Sequence, residues 1–231
     1  MIVVIGGMVR SGSTFSFNIV REILSRKGVV NFASANSLDQ LIFDATDHAH
    51  FVLKTHAPDA PTLTGILEGV LPCICTIRAP EDAIASWMET FGLPVENGIA
   101  MVKQWLSWYS CVSDRVLTLN YQTIETQPRS AIKEIAEFLE INCDNDFVDS
   151  LNEQYNKAML KRHYDSLARD ESTIDLGFSY YDKSTFFHRR HISSIETRIA
   201  TATLSPEELD FIRTELRDFN ELLTKRGMSG V

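Results

Sequence analysis

This sequence predicts an α/β protein of three layers, a parallel sheet flanked by helices, with a helical C-terminal half. Short β-branched runs alternate with longer helical patterns through the first half, which implies parallel strands covered on both faces. The first run, "MIVVI", passes into "GGMVRSGSTFSFNIV" (residues 6–20), a glycine-bearing loop opening a helix, as in phosphate-cradling sites. Past residue 122 the apolar spacing becomes mostly helical. The sheet is therefore expected to be of the P-loop type.

The strand expectations are residues 2–6, 50–54, 73–78 and 115–121, each a short run rich in β-branched or aromatic residues. Helices are expected over residues 14–26, 80–91 and about 97–112. In the second half, "QPRSAIKEIAEFLEI" places Ile132, Ile135, Ala136 and Leu139 on one helical face. "LSPEELDFIRTELRDFNELLTKRG" reads as one helix with Ser205 as N-cap, Pro206 in the first turn and Gly227 as its stop. Residues 175–194 are polar-aromatic without periodicity, and a lid loop is expected at about 177–194. Trp105, Trp108 and Tyr109 recur at helical spacing and are expected in the core. One domain over residues 1–231 suits this length, and no repeat or linker interrupts it.

Composition narrows the function. A formal net charge of −9 argues against a nucleic-acid binder, whose surface is ordinarily basic. No apolar run approaches the roughly 20 residues of a membrane span, and no signal peptide is expected. Of the four cysteines, Cys73 and Cys75 alternate in a strand, while Cys111 and Cys143 stand alone, a poor metal pattern. Reduced, structural thiols and a cytoplasmic setting are expected.

Against the nucleotide-hydrolysing pattern G-x-x-x-x-G-K-[ST], the chain reads Gly7-Met-Val-Arg-Ser-Gly12-Ser13-Thr14, with serine where the lysine belongs. Its cation, Arg10, comes earlier. ATP chemistry also asks for an acidic residue after a neighbouring strand; "CICTI" is followed by Arg78 and "VLTLN" by Tyr121, leaving only Asp44.

"VRSGSTF" resembles the loop that holds the 5′-phosphosulfate in sulfotransferases using 3′-phosphoadenosine 5′-phosphosulfate (PAPS). Arg10, Ser11, Gly12, Ser13, Thr14 and Phe15 occupy that loop's positions. Four further matches follow in order. "FVLKTHAP" delivers Lys54 and His56 at a strand's carboxyl end, where open α/β sheets bind ligands. "TIRAPEDAIASWMETFG" carries Arg78 and Ser86 at the family's 3′-phosphate spacing, with Asp82 read as support for the helix N-terminus. "VLTLNYQTI" ends in Tyr121, matching the family's tyrosine near adenine; Thr123 departs from its usual acidic residue. "FFHRRHISSIE" offers Arg189 and Arg190 for the closing loop, with His191 in place of a glycine, and His188 read as solvated surface.

The resemblance implies a soluble, metal-independent transferase that passes a sulfuryl group from PAPS, as co-substrate, to a small-molecule acceptor. Arg10, Ser13, Thr14 and the loop amides would hold the phosphosulfate, Lys54 the bridging oxygen, and Phe15 would stack on adenine. Arg78 and Ser86 would hold the 3′-phosphate, and His56 would act as general base. Two rivals stand beside it: a P-loop kinase of unusual loop sequence, and a nucleotide-binding module without activity.

Overall fold

The computed structural model describes residues 1–41, 49–175, 180–187 and 200–225. β1 (Ile2–Gly6) leads into α1 (Ser13–Ser25), then β2 (Val30–Ser34), β3 (His50–Thr55) and α2 (Ala60–Leu67). β4 (Cys73–Ile77) is followed by α3 (Pro80–Phe91) and α4 (Val95–Val112), and β5 (Leu117–Asn120) by α5 (Tyr121–Thr126). The helical part holds α6 (Pro128–Phe138), α7 (Asn145–Tyr155) and α8 (Lys157–Asp165). A hairpin, β6 (Thr173–Asp175) with β7 (Tyr180–Asp182), precedes α9 (Pro206–Glu215) and α10 (Arg217–Lys225).

The main sheet has five parallel strands in the order β2-β3-β1-β4-β5. β1 and β4 are central and carry apolar residues on both faces, as strands covered twice must. One face packs Val4, Cys73 and Cys75 against Trp105, Trp108 and Tyr109 of α4, so these aromatics are core as expected. The other face packs Val3 and Ile5 against Phe17, Ile19 and Ile23 of α1 and against the apolar face of α6. The expected α6 face, Ile132, Ile135, Ala136 and Leu139, is buried there. Cys73 and Cys75 share one face with their sulfurs 3.9 Å apart, and all four cysteines are free thiols.

The structure corrects four expectations. An edge strand, β2, adds to the four expected strands; one short strand with half-buried side chains gives weak alternation. Tyr121 opens a helix instead of closing a strand, because the Asn120 side chain accepts from Gln122 N and caps α5. The C-terminal helix breaks at Leu216, which lets Leu216 and Phe219 both reach the core; Ser205 is its N-cap as expected, in a capping box with Glu208. The lid region contains β7, and the turn after it is organised by Asp182, whose Oδ1 accepts from both Ser184 and Thr185. Gly227 and Asp44 lie outside the described residues.

Candidate active site

Strand register decides which side chains meet. Gly6 pairs with Thr55 across β1 and β3, so Gly7 and His56 leave the sheet side by side. His56 Nδ1 lies 2.6 Å from the Gly7 carbonyl oxygen. A carbonyl only accepts, so Nδ1 carries the proton and Nε2 keeps its lone pair. Trp108 Nε1 donates to the His56 carbonyl at 3.0 Å and Trp105 Nε1 to that of Gly6 at 2.8 Å. The core tryptophans thus also pin the two strand ends that carry the site. Lys54 precedes His56 by two residues and is 8% exposed.

The loop between β1 and α1 folds back on β4. Met8 N donates to the Thr76 carbonyl at 2.9 Å, and the Ser11 hydroxyl reaches Met8 O and Thr76 Oγ1. The side chain of Ser11 therefore closes the loop and is not on the cleft wall; any ligand contact it makes is through its backbone. A Cβ on Gly7 would meet Thr76 Oγ1 at 2.3 Å and Ser13 Cβ at 2.4 Å, so only glycine allows this approach. Arg10 and Gly12 both have positive φ, 59° and 93°. This turn leaves the first amides of α1 uncapped by any side chain, with no acidic residue in the first turn. Those amides, the hydroxyls of Ser13 and Thr14 on the cleft wall, and Arg10 and Lys54 make a site for an anion.

A second register sets the other half. Ile77 pairs with Asn120 across β4 and β5, which brings Arg78 beside Tyr121; the guanidinium carbon sits 4.2 Å from the ring centroid. Arg78 also donates to the Arg10 carbonyl at 3.3 Å. Arg10 Nε in turn donates to Ser86 Oγ at 3.0 Å, linking loop and α3. Asp82 accepts from Ala200 N at 2.8 Å, so it ties α3 to the residues before α9 besides standing in its own helix's first turn.

Arg10, Gly12, Ser13, Thr14, Phe15, Lys54, His56, Arg78, Ser86 and Tyr121 all line one cleft of about 220 Å³. Sequence reasoning missed several of its walls. Trp87 and Phe91, with ring centroids 4.3 Å apart, follow Ser86 on α3. Glu125, Tyr155, Lys157, Leu160 and Phe187 also line it. The i, i+4 spacing of Trp87 with Phe91 and of Tyr121 with Glu125 was a readable signal; nothing in the sequence pointed to α8. Arg189, Arg190, His188 and His191 lie outside the described residues.

Burial, and then the cations of Lys54 and Arg10, push His56 down to about 3, against the opposing pull of its bond to Gly7. Burial and Arg10 likewise lower Lys54 to about 8. Burial raises the Asp82 carboxyl, partly offset by Arg78. The cleft therefore holds a neutral imidazole beside the cations of Lys54 and Arg10.

The sulfotransferase domain family matches residues 2–195. No curated protein sequence matches the chain. Among solved structures, mouse sulfotransferase SULT7A1 complexed with PAP superposes with a TM-score of 0.63 at 14% identity, over 96% of this chain and 88% of that one. Retinol dehydratase in complex with retinol and PAP gives 0.61 at 14% identity, over 94% and 80%. The same enzyme with androsterone and inactive cofactor PAP gives 0.62 at 14%, over 94% and 80%. At such identities the likeness establishes the fold; the family match, which spans the anion loop, the Lys54–His56 strand end and the Arg78 element, establishes that this chain belongs to the sulfotransferase domain family.

Proposed function

We propose that the chain, acting as one domain, transfers the sulfuryl group of PAPS to a hydroxyl or amine of a small-molecule acceptor, with His56 as general base. The observation that carries this is the tautomer lock: Gly7 fixes the Nδ1 proton, so Nε2 is the basic atom in a cleft that also holds Lys54 and the loop amides. SULT7A1 and retinol dehydratase, which share this fold, are seen in complex with PAP, and this supports the choice of donor.

The chemistry follows from charge. His56 Nε2 takes the acceptor proton as the acceptor oxygen or nitrogen bonds to sulfur and the bond from sulfur to the bridging oxygen breaks. Lys54 stabilises the charge that grows on that bridging oxygen, while the amides of α1 with Ser13, Thr14 and Arg10 hold the phosphosulfate. A sulfuryl group carries about one less negative charge than a terminal phosphoryl group, so fixed arginine, lysine and amides suffice without a metal. The low pKa of His56 belongs to the unliganded cleft. An incoming anion offsets the Lys54 and Arg10 charges that depress it and raises its basicity for the reaction.

Phe15 stacks on the adenine, Tyr121 borders it, and Arg78 with Ser86 holds the 3′-phosphate. Trp87 and Phe91, which line the same cleft as His56, form an apolar wall for the acceptor. Free thiols throughout fit a cytoplasmic setting. Calorimetric titration with adenosine 3′,5′-bisphosphate, in parallel with ATP and Mg²⁺, tests the reading. Selective binding of the bisphosphate without metal supports it, and transfer of labelled sulfate from PAPS to an acceptor panel completes it. Binding of ATP only with Mg²⁺ would make the chain a kinase, and binding of neither a module without this activity.

A further inference from the structure

We propose that Glu125 and Lys157 form a nucleobase reader that selects a 6-aminopurine over a 6-oxopurine, an assignment that rests on the PAPS reading of the cleft. Glu125 lies one helical turn after Tyr121 on α5, and Lys157 is the first residue of α8. Their side chains meet on the cleft wall, Lys157 Nζ 2.6 Å from Glu125 Oε1, each about a third exposed or less. The β1–α1 loop, Lys54, Arg78 and Ser86 carry the groups suited to anions, whereas the ammonium of Lys157 is already matched by the Glu125 carboxylate. A pair of no net charge attracts a phosphate far less than the loop cations do, so the part of the ligand that faces Glu125 is taken to be uncharged.

The surroundings suit a flat ring. Phe15, Ile124, Leu160 and Phe187 supply apolar wall, and the ion pair is set in its rim. Adenine offers an amino donor at position 6 beside ring-nitrogen acceptors. A carboxylate next to an ammonium presents the complementary acceptor and donor. A 6-oxo group at the same place would turn a lone pair toward the carboxylate and leave it without a proton to accept. Lys157 also holds the carboxylate in this orientation, bridging two helices 32 residues apart in sequence.

The experiment compares adenosine 3′,5′-bisphosphate with inosine 3′,5′-bisphosphate by calorimetry, on the wild-type chain and on Glu125→Gln. The wild type should prefer the adenosine compound by about 10- to 100-fold. Glu125→Gln keeps the shape of the side chain but can donate to a 6-oxo oxygen, so the preference should collapse to less than about 3-fold. Equal weakening of both ligands in the variant, with the ratio intact, would mean that the pair only braces α5 against α8, and overturns the assignment. Equal binding of both ligands by the wild type overturns it while leaving the PAPS reading in place. Failure of the wild type to bind either bisphosphate removes both.

Discussion

On the wall of one cleft, His56 and Lys54 hang from strand ends, whereas Glu125 and Lys157 come from two helices. For the first pair the backbone does the placing: the pairing of Gly6 with Thr55 sets Gly7 beside His56, and Trp105 and Trp108 clamp both strands. Little freedom remains there, as catalysis requires of reacting groups. In the second pair, long side chains meet across a solvent-facing rim. Under the proposed mechanism, precision is concentrated where bonds would change, and adaptability where the nucleobase would be recognised.

The largest effect that would test this contrast is His56→Ala. It should lower turnover by roughly 10² to 10⁴ while adenosine 3′,5′-bisphosphate still binds. Near-normal turnover with labelled PAPS would remove His56 from the mechanism. Arg78→Ala should weaken binding of 3′-phosphorylated nucleotides by about 10- to 100-fold through loss of a charged hydrogen-bond donor, and leave adenosine 5′-phosphosulfate almost unaffected. An equal loss for both ligands would show that Arg78 serves only to hold the Arg10 carbonyl and Tyr121.

Protonation gives a third, smaller readout. Lys54 in the free protein titrates at about 8, below its ordinary 10.5. At pH 9 a binding anion must therefore recharge it, and binding should take up close to one proton, measured by calorimetry in buffers of different ionisation enthalpy. Lys54→Met should abolish that uptake. His56 adds a stability signature in the free protein: unfolded, it protonates near 6.5; folded, it stays neutral to about 3. Unfolding thus takes up a proton in this window, and stability is lost as pH falls from 6.5 toward 3. In His56→Gln that share of the pH dependence should vanish from denaturation curves. The smallest effect belongs to the clamp. Trp108→Phe should cost about 1–2 kcal/mol of stability, by lost packing and the lost bond to His56 O, with turnover reduced more than nucleotide affinity.

The parallel sheet was legible because β1, β3 and β4 are apolar runs bounded by helical patterns, and α6 and α9 because their faces and caps are local. The loop, Lys54, His56, Arg78 and Ser86 were legible for the same reason, since each follows directly from the end of a strand. β2 was missed because an edge strand with half-buried side chains carries little alternation. Ser11 looked like a ligand contact, and only folding shows its hydroxyl spent on Met8 and Thr76.

By itself, then, the sequence determined the secondary-structure order and the chemistry at the strand ends, because both depend on neighbours within a few residues. Tertiary structure alone decided the His56 tautomer, the depressed pKa of Lys54, and the meeting of Glu125 with Lys157. Each arises between residues far apart in the chain, through burial and contacts that exist only once the helices have packed on the sheet.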